Sequence, residues 1–308
     1  MSGMKAVQLL ASSCSRGWSA MRSKLVPGCS RADCESRQRA RHPLLGARHP
    51  QVRIHDARFC VGACMERALR DLLHESRPSN LERAPHHRVP LGLLLLSRQQ
   101  LNAGQLRAAV EAQRRAGRGR IGEWIQALGF AGEEQVTAAL ARQWSCPVWR
   151  GPLNSRLADT CRLPRTLLRH FAMLPVSFTG PSATLHIAFS EAIDYSVLYA
   201  IEQMENCRTA PCFVAPTQLR ACLHSLPLPG TDSELVFDRV VDLDECTRII
   251  RSYTARVSAR EIRLALCGSL LWVRLLTHRQ KHLDLLLGSV HETVDSSMLQ
   301  SSAVAFAD

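Results

Sequence analysis

Lysine is almost missing from this 308-residue chain, in which Lys5, Lys24 and Lys281 are the lysines among 39 Lys and Arg residues. A phosphate-binding P-loop needs Gly-Lys followed by Ser or Thr, because the lysine binds the β- and γ-phosphates and the hydroxyl holds magnesium. None of the three lysines follows a glycine. The sequence therefore excludes a P-loop nucleotide hydrolase within these residues.

Long apolar runs are also missing. The most apolar stretch, Leu91 to Leu96, is closed by Ser97 and Arg98, and it is far shorter than the roughly 20 residues that a membrane-spanning helix needs. No apolar segment adjoins the basic N-terminus, as a secretory signal would require. We therefore expect a protein without a membrane span, located in the cytoplasm.

Aromatic residues make up only 5% of the chain, whereas the net charge is +12 and rests on arginine. An arginine excess fits an anionic partner such as nucleic acid, nucleotide or a membrane surface. It fits equally well a compositional preference for arginine over lysine. Because few aromatic rings are available to stack on bases, a basic nucleic-acid-binding protein ranks last among the functions considered.

Cysteine, by contrast, is plentiful, with twelve residues. Without a secretion signal, these residues are expected to be reduced thiols. Three pairs lie close in sequence: Cys29 with Cys34, Cys60 with Cys64, and Cys207 with Cys212. Their spacings differ from the Cys-x2-Cys of common zinc knuckles, so we predict buried or surface thiols and no metal site. If zinc were bound, Cys60 and Cys64 would be the best candidates.

The sequence contains an internal repeat, in which residues 90–113 and 120–143 correspond with a constant offset of 30. The matching pairs are Leu91/Ile121, Gly92/Gly122, Leu95/Ile125, Leu101/Ala131, Leu106/Val136, Ala109/Ala139, Val110/Leu140 and Gln113/Gln143. Helical periodicity explains the apolar matches. It does not explain why a glycine and a glutamine recur, so the repeat preserves something besides packing.

Each copy of the repeat predicts a helical hairpin. In the first copy, Leu91 to Arg98 forms a short helix, and Asn102 caps a second helix with Gln105 completing a capping box. The second copy repeats this pattern from Ile121 onwards. The connecting residues 114–119 are basic and rich in glycine, which predicts a flexible link.

The whole chain predicts an α+β fold, in which a helical-hairpin repeat subdomain precedes a small α/β subdomain and then a C-terminal small α/β domain. After Pro147, alternating apolar residues predict strands at Met173 to Phe178 and Thr184 to Phe189. Three further strands are predicted near the C-terminus, at Glu261 to Leu266, Leu270 to Leu276 and Leu283 to Leu287. The predicted divisions are an irregular basic leader with one possible helix over 1–89, the repeat domain over 90–224 with its α/β part at 150–224, a linker over 225–243, the C-terminal domain over 244–290 and a tail over 291–308.

The twice-written pattern of Leu or Ile, Gly, two further residues and Leu or Ile, followed by a helix that ends in Gln, resembles the MshEN domain. That domain is the N-terminal domain of type II secretion and type IV pilus assembly ATPases. The resemblance covers residues 90 to about 224. It continues more weakly through 244–287, where Arg260-Glu261-Ile262-Arg263 stands in place of the family's Ser-Asp-Ile-His. The P-loop ATPase core of the family is absent from this sequence.

The resemblance implies cyclic di-GMP as a candidate ligand, because many MshEN domains bind it through the paired motifs. It implies no cofactor and no bound metal. Arginine suits this ligand because it can stack on guanine or bond to its O6 and N7 atoms, while glutamine can both donate and accept at a base edge. The positions implied for ligand binding are Leu91, Gly92, Leu95, Gln113, Arg114, Arg120, Ile121, Gly122, Ile125, Gly129 and Gln143.

The first copy departs from the family pattern in two places. Pro90 stands where the motif has Arg, and Gln99 replaces its second Gly. The link between the copies is also about one residue longer than in the family. Arg88 or Arg114 could replace the lost cation. Losing one charge-assisted bond costs about 1.5 to 3 kcal/mol, or tenfold or more in affinity, so we expect nucleotide binding to be weakened or lost.

Several of these residues also have a purely structural explanation. The apolar positions already satisfy the packing of a hairpin, Gly92 and Gly122 could permit close helix contact, and Arg120 could be a solvated charge. No arrangement of residues indicates catalysis. Two functions therefore remain open: a non-catalytic cyclic di-GMP sensor or adaptor, and a ligand-free module that docks on a secretion or pilus assembly protein.

Overall fold

The computed structural model describes residues 29–34, 50–75, 88–153, 156–226, 233–240, 242–278 and 281–288. Helices and sheets are mixed, as the predicted α+β class requires. The predicted tail over 291–308 and most of the predicted leader lie outside the described residues. No helix among the described residues is long and apolar enough to cross a membrane.

The repeat consists of four helices, two from each copy. They are α2 (Leu91–Ser97), α3 (Ala103–Ala116), α4 (Ile121–Ala127) and α5 (Glu133–Gln143). The predicted capping box is present at α3, where Asn102 Oδ1 accepts from Gln105 N at 2.8 Å and Gln105 Oε1 accepts from Asn102 N at 3.0 Å. The predicted hairpins are confirmed.

A three-stranded sheet follows the repeat in the order β3-β4-β5. Its strands are β3 (Met173–Thr179), β4 (Thr184–Phe189) and β5 (Arg208–Phe213). The helices that pack around it are α6 (Arg156–Thr160), α7 (Arg165–His170), α8 (Tyr195–Glu205) and α9 (Pro216–Ser225). The predicted strand pair β3 and β4 is antiparallel, and β5 joins β4 in parallel after the crossover through α8.

A second, six-stranded sheet has the order β2-β1-β7-β8-β9-β6. Its strands are β1 (Gln51–Ile54), β2 (Ala57–Cys60), β6 (Glu234–Phe237), β7 (Glu261–Cys267), β8 (Leu270–Leu276) and β9 (His282–Leu287). The helices α1 (Ala63–Glu75) and α10 (Leu243–Arg256) flank this sheet. The three strands predicted in the C-terminal region are confirmed.

The structure departs from two predicted divisions. The possible helix of the leader is present as α1, which packs against α10, but residues 51–60 form β1 and β2, and β1 pairs in parallel with β7. The predicted linker over 225–243 contains β6, which pairs in parallel with β9. These strands are four residues long, and a run that short carries too little alternation to identify a strand.

The six-stranded sheet has a separate apolar core on each face. One face carries Leu264, Val273 and Leu285, which are buried with residues of α1 and α10. The other face carries Trp272 and Leu286, which belong to the same core as α8 and the three-stranded sheet. The C-terminal domain therefore shares a core with the α/β subdomain and is not joined to it by a linker alone.

A buried ionic network joins the same two parts. Arg274 donates from Nε to Asp284 Oδ1 at 2.8 Å and also bonds to Glu205 at the end of α8. Asp284 Oδ1 accepts a further bond from Trp272 Nε1 at 3.0 Å. The carboxylate of Glu234 in β6 accepts from the backbone N–H of Arg165 at 2.8 Å, which caps the start of α7. Polar contacts of this kind fix the orientation of two packed surfaces.

Candidate functional site

The two glutamines of the repeat make equivalent hydrogen bonds, each reaching from one copy to the other. Gln113 Nε2 donates to the carbonyl of Gly119 at 2.8 Å, just before α4 begins. Gln143 Nε2 donates to the carbonyl of Val89 at 2.8 Å, just before α2 begins. The glutamine of each copy therefore holds the start of the other copy's short helix by a hydrogen bond, which gives the recurring glutamine a structural role.

The two glycines of the repeat lie where helices touch. A Cβ built on Gly92 would stand 2.5 Å from Leu106 Cδ1, and one built on Gly122 would stand 3.2 Å from both Leu91 and Val136. Both glycines are buried. Their absent side chains let α2 and α4 approach the neighbouring helices, so the structure supports the packing explanation for both positions.

The apolar positions implied for the ligand form the core of the repeat. Leu91, Leu95 and Ile125 are buried together, and Ile121 packs against them half-buried. These side chains lie between helices, where they stabilise the unit by removing apolar surface from water. Arg114 is exposed in the last turn of α3, and its carbonyl accepts from Gly117 N at 3.3 Å.

Gly129 and its counterpart Gln99 share one backbone conformation. Gly129 follows α4 with φ of 70°, and Gln99 follows α2 with φ of 57°. Both angles lie in the left-handed region, which glycine adopts freely and a residue with a Cβ adopts at a cost. The departure at Gln99 therefore leaves the shape of the chain unchanged.

Arg120 is an exposed cation at the start of the second short helix. It immediately precedes α4, its side chain is 57% exposed, and its Nη1 lies 3.2 Å from Glu191 Oε2. Pro90 holds the equivalent place before α2, with φ of −55° and ψ of 139° against −95° and 152° for Arg120. The two half-sites thus share a backbone but differ in charge.

An arginine just before the repeat stacks on an aromatic ring just after it. The guanidinium carbon of Arg88 lies 3.3 Å from the ring centroid of Trp144, and that ring lies 6.2 Å from the ring of Tyr195. Burial raises the pKa of the Tyr195 phenol. Tyr195 is four residues after Glu191, the partner of Arg120, so their Cα atoms are at most about 14 Å apart. We call Arg88, Arg120, Trp144, Glu191 and Tyr195 the Arg120 surface.

Sequence reasoning missed Trp144, Glu191 and Tyr195, because they come from separate elements and follow no shared period. The sequence offers Arg88 as a replacement cation, and the structure places its guanidinium on the ring of Trp144. A cavity of about 280 Å³ lies beside Arg120, lined by Arg118, Gly119, Glu123, Trp124 and Ala127. A larger cavity of about 500 Å³ lies against α10 in the C-terminal sheet domain, away from the repeat.

No protein-family model and no curated protein matches the sequence. Among solved structures, the chain is similar to MshE with cdg (cyclic di-GMP), with 28% identity and a TM-score of 0.38 over 44% of this chain and 98% of that one. It is also similar to the N-terminal domain of XpsE in two crystal forms. Those likenesses have 15% and 17% identity and TM-scores of 0.31 and 0.28, over 44% and 43% of this chain and 91% of each XpsE chain.

Proposed function

We propose that the repeat unit binds cyclic di-GMP and that the chain acts as a non-catalytic sensor or adaptor on a secretion or pilus assembly protein. The observation that carries this proposal is Arg120, an exposed guanidinium at the entrance of one of two equivalent short helices. The similar starts of the two short helices suit a ligand that has two similar halves. Such a module would work in the cytoplasm.

The chemistry of the Arg120 surface suits a guanine nucleotide. The guanidinium of Arg120 can form two parallel bonds to guanine O6 and N7, or it can bind a phosphate oxygen. The guanidinium of Arg88 already stacks on the ring of Trp144, and a base could extend that stack. A phosphate would have to displace Glu191 from Arg120, at small cost because both side chains are exposed.

A second candidate function is ligand-free docking, and specific contacts favour it. Gln113, Gln143, Gly92 and Gly122 are engaged within the unit, and Pro90 supplies no cation. Val89 and Leu93 are 52% and 48% exposed around the start of α2. Exposed apolar side chains of this kind contribute to protein interfaces.

Calorimetric titration of the full chain with cyclic di-GMP tests the proposal, with GTP and cyclic AMP as control ligands. The full chain is used because Trp272 completes the core of the α/β subdomain. Saturable binding of cyclic di-GMP alone, with a dissociation constant on the order of micromolar or tighter, would support a sensor. Absence of heat and of any thermal shift at high ligand concentration would leave the docking function.

The variant Arg120→Ala should abolish binding without changing the melting temperature, because the side chain contacts only an exposed carboxylate among the described residues. Arg107→Ala is the matched control, since Arg107 is an exposed arginine of α3 outside the Arg120 surface. Equal loss of binding in both variants would show a general effect of positive charge and would contradict a specific site.

A further inference from the structure

Two cysteine pairs from distant parts of the chain meet at the edge of the six-stranded sheet. The Sγ atoms of Cys29, Cys34 and Cys64 all lie within 4.8 Å of one another. The Sγ atom of Cys60 lies 3.7 Å from that of Cys34. We call these four residues the sulfur cluster. The sequence predicted buried or surface thiols, but it did not indicate that these two pairs meet.

The spacing of the Cys29, Cys34 and Cys64 sulfur atoms suits a closed zinc site, and Cys60 lies close enough to Cys34 to supply a fourth ligand. A tetrahedral zinc ion with Zn–S bonds of about 2.3 Å places its sulfur atoms about 3.8 Å apart. Cys29, Cys34 and Cys60 are 4%, 2% and 8% exposed, and Cys64 is half-buried. Their sequence spacings, four and three intervening residues, fall within the range used by structural zinc ligands.

The segment 29–34 has little else to hold it in place. Of its six residues, only Cys29 and Cys34 are buried. Ser30 N donates to the carbonyl of Arg58 in β2 at 2.7 Å, and exposed ion pairs join Arg31 to Asp71 and Arg67 to Asp33. Exposed ion pairs stabilise by about 1 kcal/mol or less. A unit with so small a core usually needs a metal ion or a disulfide.

The arrangement does not suit a reactive thiol. Reactive cysteines are partly exposed, because the thiolate must reach its target, whereas Cys29, Cys34 and Cys60 are buried. Three sulfur atoms around one centre also suit a single ion better than a disulfide, which joins only two.

We propose that Cys29, Cys34 and Cys64, with Cys60 as the fourth ligand, bind one structural zinc ion. The four thiols bind as thiolates and release their protons to water, which leaves the site with a net charge of −2. Cys64 lies in the first turn of α1, where the helix dipole favours negative charge. With four protein ligands the ion has no open position for substrate, so the site is structural.

The zinc ion would fasten the segment 29–34 over the outer edge of the sheet. β2 is the edge strand, and segment 29–34 already exchanges hydrogen bonds with Arg58 in that strand. Covering an edge strand blocks its pairing with another chain. The ion therefore protects the sheet edge and anchors the chain that precedes β1.

The test is the metal content of the full chain purified under reducing conditions. Mass spectrometry of the metals should find one zinc ion per chain. Replacing the zinc by Co²⁺ should give the visible absorption of a tetrahedral thiolate complex. Neither measurement requires a variant, so a folding defect cannot produce a false negative.

Variants then assign the ligands. Cys29→Ser, Cys34→Ser and Cys64→Ser should each lower zinc affinity at least tenfold, while Cys64→His should retain the ion because imidazole also binds zinc. Cys222→Ser is the matched control, since Cys222 is a half-buried cysteine outside the sulfur cluster. Three results would overturn the proposal. They are the absence of zinc and of the Co²⁺ spectrum, full zinc retention by all three serine variants, and a disulfide within the sulfur cluster of the chain purified under reducing conditions.

Discussion

At the scale of single residues, Gln99 and Gly129 show how the two copies of the repeat have diverged without changing shape. Both follow a short helix, and both have positive φ, 57° and 70°. A Cβ on Gly129 would meet nothing within 4 Å. The difference between the two positions is therefore a backbone strain that the first copy carries and the second does not.

Exchanging these residues should move stability in opposite directions. We expect Gln99→Gly to stabilise the chain by about 1 kcal/mol and Gly129→Gln to destabilise it by about the same amount, because a left-handed residue with a Cβ costs about 1 to 2 kcal/mol. Urea denaturation of the two variants measures both changes. A change of the same sign in both would show that side-chain contacts, and not backbone strain, govern these positions.

Pro90 offers a direct gain-of-function test of the proposed ligand. Its backbone angles are accessible to arginine, and Arg120 holds the equivalent position in the second copy. If cyclic di-GMP spans both entrances, Pro90→Arg should raise its affinity tenfold or more, the equivalent of about 1.5 to 3 kcal/mol. Calorimetry gives the comparison, with Pro90→Gln as the uncharged control. Equal affinity in both variants would contradict a second cationic contact.

His282 gives the chain a predictable response to acid. Burial lowers the pKa of His282 below the ordinary value of 6.5, and the charge of Arg274 lowers it further. The unfolded chain therefore binds a proton near pH 6.5 that the folded chain does not, so stability falls as the pH drops through 6.5. The variant His282→Asn should lose part of this decrease. Melting temperatures between pH 7.5 and 5.5 test this, and parallel curves would contradict it.

At the scale of helices and strands, the repeat unit is organised by exchange between its copies. α2 packs against α5 of the other copy, and α4 packs against α3. The two glutamine hydrogen bonds follow the same exchange. The short helix of each copy therefore packs mainly against the long helix of the other copy.

This exchange predicts crossed effects on hydrogen exchange. Gln143→Ala should speed amide exchange about fivefold in the first turn of α2, at Leu93 and Leu94, because it removes a bond worth about 1 kcal/mol. Gln113→Ala should have the same effect on Glu123 and Trp124 at the start of α4. Faster exchange at the helix of the mutated copy instead would contradict the exchanged arrangement.

The sequence predicted the long periodic elements, namely the repeat helices and the strands β3, β4, β7, β8 and β9. It did not predict β1 or β6, whose pairings with β7 and β9 join residues far apart in the chain, as Arg53 with Glu261. Arg120 could be selected from its motif because a motif is local. The bond from Gln143 to Val89 spans 54 residues, and the meeting of Arg88 with Trp144 depends on the fold, so neither left a pattern in the sequence.

At the scale of the whole molecule, the ionic network at Arg274 controls how the C-terminal sheet and the α/β subdomain hold together. Burial opposes the charge of Arg274, but its bonds and charge interactions with Asp284 and Glu205 outweigh that cost and raise its pKa. Its side chain is 4% exposed, and that of Asp284 is 2% exposed. Removing Arg274 leaves the carboxylates of Asp284 and Glu205 without their shared cation.

We therefore expect Arg274→Met to destabilise the chain by about 3 to 5 kcal/mol. Arg70→Ala is the matched control, because Arg70 and Asp244 form an exposed ion pair that should contribute less than about 1 kcal/mol. Chemical denaturation measures both. The double variant Arg274→Met with Asp284→Leu should recover much of the loss, and a failure to recover would assign the effect to packing instead of charge.

The hydrogen bond from Gln143 to Val89 joins the last residue of the repeat unit to the residue just before the unit begins. The unit is therefore closed, with its entry and its exit side by side. Residues 117–119 between the copies are exposed and contain two glycines, so a break there puts few contacts at risk, chiefly the bonds from Gln113 to Gly119 and from Trp124 to Arg118. New termini placed there should preserve the fold, so the same four helices could be reconnected in the opposite order.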